Sequence, residues 1–351
     1  MQKNAAPVAS VTATAPCRVD LAGGTLDIWP LYLFHSGAVT VNFGVSVLTR
    51  CQIAKTSGSR IELKSLDTGK FDSFSSVEEL CSAKKFSHPL AANLVRFFAP
   101  EAGFTLETHS ESPAGAGISG SSALMVATTA ALASFTGRQL SLEEIRVIAQ
   151  NVEAQLIRVP TGCQDYYPAL YGGVNALHLE ADGIHRQAIT VAAEELDSRF
   201  VLAYTGAPRQ SGINNWKVFQ AHINEDKKVF RNFEQIAAIA RALHEALSNA
   251  DWDEVAKLLR AEWKLRKTNA PRITTPLIEK LIKVATKNGA KAAKVCGAGG
   301  GGCVVFLTEP DSKHLVEASI REAGGTVLPC HVAREGLALS GSHAMPQLAS
   351  N

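Results

Sequence analysis

Apolar and polar positions follow two different rhythms along the chain. In the first half, alternating apolar residues predict long strands at 8–22 and within 38–56, a shorter strand at 61–66 that would pair with the second, and helices at about 121–135 and 142–157. The second half is dominated by amphipathic helical patterns, with short apolar strands between them (RFVLAYTG, AAKV, CVVFL and TVLPC). Strands interleaved with helices in this way predict an α+β fold, in which helices cover the sheets.

Length and a change of composition near 181–197 predict more than one folding unit. A chain of 351 residues is too long for one small core. We therefore expect two domains, at 1–185 and 186–340, followed by a flexible tail at 341–351.

Charge and cysteine content narrow the class of protein. The net charge is +2 and the chain has no Lys/Arg block or aromatic ladder, which argues against a nucleic-acid partner. No apolar run approaches the length of a membrane span, and the N-terminus lacks the apolar core of a signal peptide. The seven cysteines are scattered without metal-binding spacing, which is typical of buried thiols in a reducing compartment. We expect a cytoplasmic protein with no membrane partner.

The stretch PAGAGISGSSAL at 113–124 joins a small-residue loop to an apolar helix. Its glycines can adopt positive φ and bring backbone N–H groups close to an anion, and a helix N-terminus favours negative charge. The stretch has neither the Gly-Lys-Ser/Thr ending of a Walker A loop nor the spacing of a dinucleotide fingerprint. It predicts a phosphate-binding loop, the alternative being a flexible turn before a buried helix. The candidate phosphate-binding residues are Pro113, Gly115, Ala116, Gly117, Ile118, Ser119, Gly120, Ser121 and Ser122.

A second glycine loop lies in KVCGAGGGGCVVFL at 294–307, where five of the six residues at 297–302 are glycine. Glycine loses more conformational freedom on folding than any other residue, so an ordered run of this kind is costly. We interpret it as backbone that must touch a ligand or a facing loop.

Two carboxylates are candidates for chemistry. Asp165, in a turn before a strand, would accept or align a hydroxyl proton during phosphoryl transfer, or it stabilises the turn. Glu153 interrupts the edge of the apolar stripe on its helix. It would bind Mg²⁺ together with a serine hydroxyl and phosphate oxygens, or it turns outward to pair with a base.

The segment APCRVDLAGGTLD at 15–27 holds two further candidates. Arg18 lies in a strand, where a fixed cation would lower the pKa of a nearby carboxyl or hold the charge of a migrating phosphoryl group. Asp27 follows a glycine pair in a tight loop and would hydrogen-bond the hydroxyls of a substrate. Either residue alone is more often a surface charge or a turn residue.

In this order, the motifs at 15–27, 113–124 and 294–307 resemble those of the GHMP kinase superfamily, which includes galactokinases, homoserine kinases and mevalonate kinases. The resemblance implies a two-domain fold, with an N-terminal α/β domain built on a mixed sheet and a C-terminal ferredoxin-like α+β domain. It also implies ATP and Mg²⁺ as cofactors, with the second motif around the ATP phosphates and the third supporting both nucleotide loop and substrate.

Residue by residue, Asp165 matches the family's catalytic aspartate and Arg18 the basic residue beside it in the sugar kinases. Glu153 matches the Mg²⁺-binding glutamate and Ser122 the serine on the Mg²⁺ side, with Ser121 a near-equal candidate. The resemblance places substrate contacts at Gly24, Thr25, Asp27, Asp165, Gly299 and Gly300.

With Arg18 and the sequence AGGTLD, the first motif is similar to that of heptose-phosphate and fucose kinases. Gly24 and Thr25 stand where galactokinases have Glu-His, which argues against galactose as the substrate. We therefore expect an ATP-dependent kinase, monomeric or homodimeric, that phosphorylates a hydroxyl of a sugar or sugar phosphate, with the anomeric hydroxyl as first candidate. Arg209 and Lys217 would contact an anionic acceptor or remain solvated. The alternatives are a mevalonate-type isoprenoid kinase or related decarboxylase, and a catalytically inactive nucleotide-binding relative.

Overall fold

The computed structural model describes residues 9–208 and 211–341, without the side chains of 211–215. In chain order its strands are β1 (Ser10–Ala22), β2 (Val39–Lys55), β3 (Ile61–Ser65), β4 (Phe71–Phe74), β5 (Phe104–Ser110), β6 (Val174–Glu180), β7 (Gly183–Ala188), β8 (Phe200–Tyr204), β9 (Ala290–Val295), β10 (Cys303–Thr308), β11 (Thr326–Leu328) and β12 (Ala338–Gly341). Its helices are α1 (Val77–Ser82), α2 (Pro89–Phe98), α3 (Gly120–Phe135), α4 (Leu142–Ile157), α5 (Tyr167–Tyr171), α6 (Ala193–Arg199), α7 (Ser211–Ile223), α8 (Lys227–Ser248), α9 (Trp252–Arg266), α10 (Pro276–Lys287) and α11 (Lys313–Glu322).

The first sheet has eight strands and is mixed, as expected. Its order is β12–β1–β2–β5–β3–β4, and the β6–β7 hairpin joins it at β2. β3 and β5 run parallel, whereas β2 pairs antiparallel with β1, β5 and β6 along its 17 residues. The last six residues of β1 are buried on both faces, so the charged Arg18 and Asp20 lie inside the protein.

The second sheet has four strands in the order β11–β8–β10–β9, all antiparallel. Helices α7 to α10 separate β8 from β9, and α11 separates β10 from β11. This is the strand order of a ferredoxin-like βαββαβ unit, so the expected C-terminal architecture is confirmed.

Helix α3 follows directly after the first glycine loop and is buried along nearly its whole length. Its sequence GSSALMVATTAALASF contains no charged residue, which is typical of a helix enclosed on all sides. It packs against β1, β2 and α4. Helix α4 begins with a complete capping box, in which Ser141 Oγ accepts from the Glu144 N–H and the Glu144 carboxylate accepts from the Ser141 N–H.

The expected pairing of the strand at 61–66 with the one at 38–56 is wrong. β5 lies between β2 and β3, so Leu106 faces Ile53 on one side and Leu63 on the other. The crossover through α1 and α2 returns β5 parallel to β3, a long-range placement that the spacing of two neighbouring strand patterns does not reveal.

Both ends of the predicted second domain touch the first sheet. The boundary expected at residue 185 falls inside β7, which pairs with β6. Gly341, expected to open a flexible tail, pairs with Val11 through β12, and residues 342–351 lie outside the described residues. The two-domain boundaries themselves stay a prediction.

Six of the seven cysteines are buried thiols as expected, but Cys81 on the short helix α1 is exposed. Within the residues that the structure describes, no helix has both the length and the apolar character needed to cross a bilayer.

Candidate active site

A cleft of about 460 Å³, here called the glycine-loop cleft, opens in front of the first glycine loop. Gly115 and Gly117 have φ values of 69° and 78°, and Ser119, just before α3, has a φ of 61°. Alternating left-handed residues of this kind form a backbone concavity suited to anions. The concavity lies at the N-terminus of α3, where the helix dipole also favours negative charge.

All the predicted phosphate-binding residues except Ile118 line this cleft. Ile118 is fully buried, and its carbonyl accepts the backbone N–H of Arg18 at 2.9 Å. Its position therefore ties the loop to β1 and keeps its side chain in the core. The Oγ of Ser119 is buried and has no hydrogen-bond partner among the described residues. A polar atom of a ligand bound in the cleft would supply the missing hydrogen bond.

The second glycine loop supports the first from behind. The N–H of Cys303 donates to the carbonyl of Ala116 at 2.6 Å. Gly302 has a φ of +76°, and a Cβ at this position would lie 2.6 Å from the same carbonyl. The bare backbone inferred from the sequence is therefore required by contact with the facing loop.

Gly299 and Gly300, expected as substrate contacts, lie on Ile273. The N–H of Gly300 donates to the Ile273 carbonyl at 2.8 Å, and a Cβ on Gly299 would lie 2.4 Å from that oxygen. The residues of this loop that reach the polar cavity described below are Gly297 and Ala298. A substrate contact at Gly299 or Gly300 stays a prediction.

Arg18 and Asp165, 147 residues apart in sequence, form an ion pair in which Arg18 is buried and Asp165 is partly exposed. The Arg18 Nε and Nη2 donate to the same oxygen, Asp165 Oδ1, at 3.0 and 2.6 Å, while Nη1 donates to the Gly117 carbonyl at 2.9 Å. Burial opposes the charge of Arg18, but Asp165 and Asp20 outweigh it and raise the pKa of the guanidinium above its usual value. Arg18 is thus a permanent cation that joins Asp165 to the glycine loop.

A second, smaller cavity of about 30 Å³, here called the polar cavity, adjoins the glycine-loop cleft. Its charged and amide side chains are Arg18, Asp27, Gln164, Asp165 and Arg266. Gly24 and Thr25, both expected as substrate contacts, also line it. Among the described residues, Asp165 is the one that lines both cavities.

Asp27 is 2 % exposed, and the local backbone is built around its carboxylate. The N–H of Gln164 donates to Asp27 Oδ2 at 2.8 Å. A Cβ on Gly162 would lie 2.1 Å from the same oxygen, so only glycine fits there. Burial raises the pKa of Asp27 to about 7, with a further contribution from the charge of Asp165.

Comparison with known proteins gives this arrangement a family. The model of the GHMP kinase N-terminal domain matches residues 84–173, and that of the GHMP kinase C-terminal domain matches residues 236–326, together more than half of the chain. The chain is a GHMP kinase. The first model spans the glycine loop, Glu153 and Asp165, and the second spans Arg266 and the second glycine loop.

Individual relatives support the same placement of this GHMP kinase. It is 28% identical over 342 residues to the D-glycero-alpha-D-manno-heptose 7-phosphate kinase of Campylobacter jejuni, a match that covers 93% of this chain and 98% of the relative. The mevalonate kinase of Pyrococcus furiosus is 27% identical over 241 residues, covering 67% of this chain and 68% of the relative. The crystal structure of a D-glycero-D-manno-heptose 1-phosphate kinase from Bacteroides thetaiotaomicron shares the fold, with a TM-score of 0.76, 24% identity and coverage of 95% of this chain and 100% of that one.

The kinase has an oxygen-rich corner where Glu153 meets the start of α3. Glu153 is 6 % exposed and accepts from the Tyr166 hydroxyl at 2.6 Å. Burial raises the pKa of Glu153, while hydrogen bonds from Tyr166, Ser121 and Ser122 act in the opposite direction. A buried carboxylate beside two hydroxyls, facing a phosphate-sized concavity, is a donor set that suits Mg²⁺. These residues therefore fit the metal that the family resemblance implies.

The polar cavity of the kinase also has charged residues that the sequence reasoning missed. Arg266 lines it, and behind Arg266 lie Glu262, Lys294 and Asp20, all buried. A signal was available, because Glu262 shares one face of α9 with Val255 and Leu259, a charge on an apolar stripe. Gln164, next to Asp165, was missed as well, and a buried amide in a loop leaves no comparable signal.

Proposed function

We propose that this GHMP kinase transfers the γ-phosphoryl group of ATP to a hydroxyl of a sugar or sugar phosphate. The observation that carries the proposal is the position of Asp165 between the glycine-loop cleft and the polar cavity. A nucleotide in the cleft, and an acceptor that inserts a hydroxyl group into the cavity, would meet at this carboxylate. The kinase family and its heptose-phosphate kinase relative support the same donor and acceptor classes.

The geometry of Asp165 suits proton transfer. Arg18 donates two hydrogen bonds to Oδ1, and Oδ2 has no hydrogen-bond partner in the part of the chain that the structure describes. Oδ2 would accept the proton of the acceptor hydroxyl as its oxygen forms a bond to the γ-phosphorus. The bond between that phosphorus and the β–γ bridging oxygen breaks, ADP leaves, and the proton is released from Asp165 to solvent. Arg18 fixes the orientation of the Asp165 carboxylate and adds a positive charge near the migrating group.

Binding of the donor is assigned to the glycine loop and to the corner at Glu153. The left-handed backbone at Gly115 and Gly117 and the N-terminus of α3 would hold the β- and γ-phosphates. Glu153, with Ser121 or Ser122, would hold Mg²⁺, which supplies positive charge to the phosphate oxygens when bound.

The chemistry of the polar cavity favours a sugar over an isoprenoid acceptor. Its wall offers a carboxyl group from Asp27, a carboxamide from Gln164 and a guanidinium group from Arg266, which together suit several hydroxyl groups. The heptose 7-phosphate kinase match extends over 93% of the chain, whereas the mevalonate kinase match extends over 67%. A choice of the anomeric hydroxyl, a cytoplasmic location and a monomeric or homodimeric state stay predictions.

A role of Arg209 or Lys217 toward an anionic acceptor also stays a prediction. Arg209 lies outside the described residues, and Lys217 is exposed on α7.

ADP release with a panel of acceptors tests the proposal. The panel contains D-glycero-α-D-manno-heptose 7-phosphate, L-fucose, galactose and mevalonate, each with ATP and Mg²⁺. Turnover that requires one of the sugars is the expected result. Turnover with mevalonate alone would move the protein to the isoprenoid kinases, and no turnover with any acceptor, together with ATP binding, would support the inactive relative.

A further inference from the structure

Arg266 is the cationic residue that the C-terminal half contributes to the polar cavity, and it has a donor to spare. The residue ends α9 and is 4 % exposed. Its Nη2 donates to the Gly24 carbonyl at 3.0 Å, and its Nη1 lies 3.5 Å from Thr25 Oγ1. Both of these partners belong to the cavity wall.

The five N–H groups of the guanidinium can be assigned in turn. Nε–H and one Nη2–H donate to Glu262 Oε1, and the second Nη2–H donates to Gly24. One Nη1–H makes the long contact with Thr25. Among the described residues, nothing accepts the other Nη1–H, although the group faces a cavity whose remaining wall is polar.

Arg266 is held in place by a network of buried charged side chains, here called the buried charge network. Glu262 Oε1 lies 3.5 Å from Lys294 Nζ, and Lys294 donates to Asp20 Oδ2 at 2.9 Å. Asp20, Glu262 and Lys294 are each fully buried. Removing such charges from water is expensive, and apolar residues of similar size would often be as stable, so a network of this kind is better explained by the position it imposes.

The buried charge network connects three separate elements of secondary structure to the cavity. Asp20 comes from β1, Lys294 from β9, and Glu262 and Arg266 from α9. A Cβ on Gly24 would lie only 2.8 Å from Asp20 Oδ2, so the loop at Gly24 packs directly against the buried charge network. Any shift of Arg266 therefore moves one wall of the cavity.

We propose that Arg266 binds a second hydroxyl group of the acceptor through its free Nη1–H, and that Asp20, Lys294 and Glu262 are positioning residues for this contact. The inference rests on the proposed function, since it specifies how the same cavity recognises its sugar. Glu262 already neutralises the guanidinium, which makes Arg266 suited to a neutral ring hydroxyl rather than to a phosphate dianion. The acceptor class is thus a polyol ring with one hydroxyl at Asp165 and another at Arg266.

The test compares Arg266→Lys with a matched control, Arg241→Lys. Arg241 also bridges the two halves of the chain through main-chain carbonyls, at Ser36 and Gly37, but it is not part of the polar cavity. The assay is ADP release with whichever of D-glycero-α-D-manno-heptose 7-phosphate, L-fucose or galactose is active, and with its monodeoxy analogues.

We expect Arg266→Lys to raise the KM for the sugar at least tenfold while the KM for ATP changes less than twofold, because lysine lacks the planar fork. Arg241→Lys should change neither KM. With the unmodified kinase, kcat/KM for one monodeoxy analogue should be at least tenfold lower than for the parent sugar. With Arg266→Lys, kcat/KM should be the same for this analogue and for the parent sugar. An unchanged sugar KM, or a deoxy penalty that persists in Arg266→Lys, would overturn the assignment.

A measurement on the unmodified kinase removes the dependence on folding of the variant. The ¹⁵N signals of the Arg266 side chain should shift on addition of the active sugar and not on addition of the deoxy analogue identified above. Shifts that are the same with both sugars would overturn the assignment. Absence of ADP release with every sugar would instead contradict the proposed function, so the two failures are distinguishable.

Discussion

The two cavities that meet at Asp165 are built in different ways. More than half of the residues that line the glycine-loop cleft come from one continuous segment, 110–124, and the others come from the β3–β4 turn, from Leu90 and from 153–165. The polar cavity is formed by residues from several short segments, whose positions in sequence range from 18 to 298. The first depends on local backbone conformation and the second on ion pairs between distant elements. A phosphate site can therefore be predicted from a short stretch of sequence, whereas an acceptor site of this kind needs the complete fold.

Substitution of Asp165, which lines both cavities, should have the largest effect on catalysis. Asp165→Asn keeps the shape of the side chain but removes the base, so kcat should fall by roughly 10³-fold or more. The affinity for ATP should change less than threefold, because the glycine loop is intact. Single-turnover measurements and fluorescence titration with an ATP analogue separate the two quantities. Unchanged turnover would mean that Asp165 stabilises its turn and takes no part in proton transfer.

A change confined to the glycine-loop cleft should come next. Glu153→Gln removes a buried carboxylate from the oxygen-rich corner, and the Mg²⁺ concentration for half-maximal rate should rise about 10- to 100-fold. The KM for the sugar should stay within twofold. Glu143→Gln, an exposed partner of Arg146 on the same helix, is the matched control. Equal Mg²⁺ dependence in the two variants would exclude a metal role for Glu153.

Two glycines allow the two cavities to be perturbed separately, because a Cβ at either position would displace atoms in or behind one cavity wall. Gly24→Ala places a Cβ 2.8 Å from Asp20 Oδ2, which Lys294 holds in place, so the KM for the sugar should rise about tenfold. Gly302→Ala places a Cβ 2.6 Å from the Ala116 carbonyl, so the KM for ATP should rise by a similar factor. Steady-state kinetics with each substrate varied in turn measures both effects. A variant that raised both KM values equally would show that the cavities are not independent.

The smallest effect is expected from the electrostatics of Asp27. Its folded-state pKa of about 7 lies above the usual value of 3.8, so the native state binds a proton that the unfolded state has lost between about pH 4 and pH 7. Ionisation of Asp27 therefore lowers the free energy of unfolding as the pH rises through this window. Asp27→Asn should be more stable than the unmodified kinase by about 2–4 kcal/mol at pH 8 and equally stable near pH 4.

Urea unfolding of the two proteins at both pH values measures this difference. The comparison cancels the titration of all groups that they share. A stability difference that does not change with pH would show that Asp27 is ionised throughout the range.

Prediction from sequence worked where short-range rules decide the structure. The helices expected at about 121–135 and 142–157, and the positive φ of Gly115 and Gly117, all rest on local properties of the sequence. Three spaced motifs were enough to indicate the family that the domain matches show. The ferredoxin-like order of the second sheet followed from that resemblance and is confirmed.

Prediction failed where partners are far apart in the chain. Lys294 is 274 residues from Asp20, and Arg266 is 242 residues from Gly24. Lys294 was inside a quoted motif, yet nothing in the motif indicates that its ammonium group is enclosed. The pairing of β3 with β5 was missed for the same reason, since it depends on a crossover and not on neighbouring strand patterns.

The ion pair between Lys294 and Asp20 has a consequence for biosynthesis of the enzyme. The whole glycine loop and Asp165 leave the ribosome well before residue 294 is added. A nascent chain, or a fragment cut before β9, would thus lack the ion pair that supports the wall of the polar cavity at Gly24. Productive catalysis would therefore begin only after β9 has been made and has paired with β10.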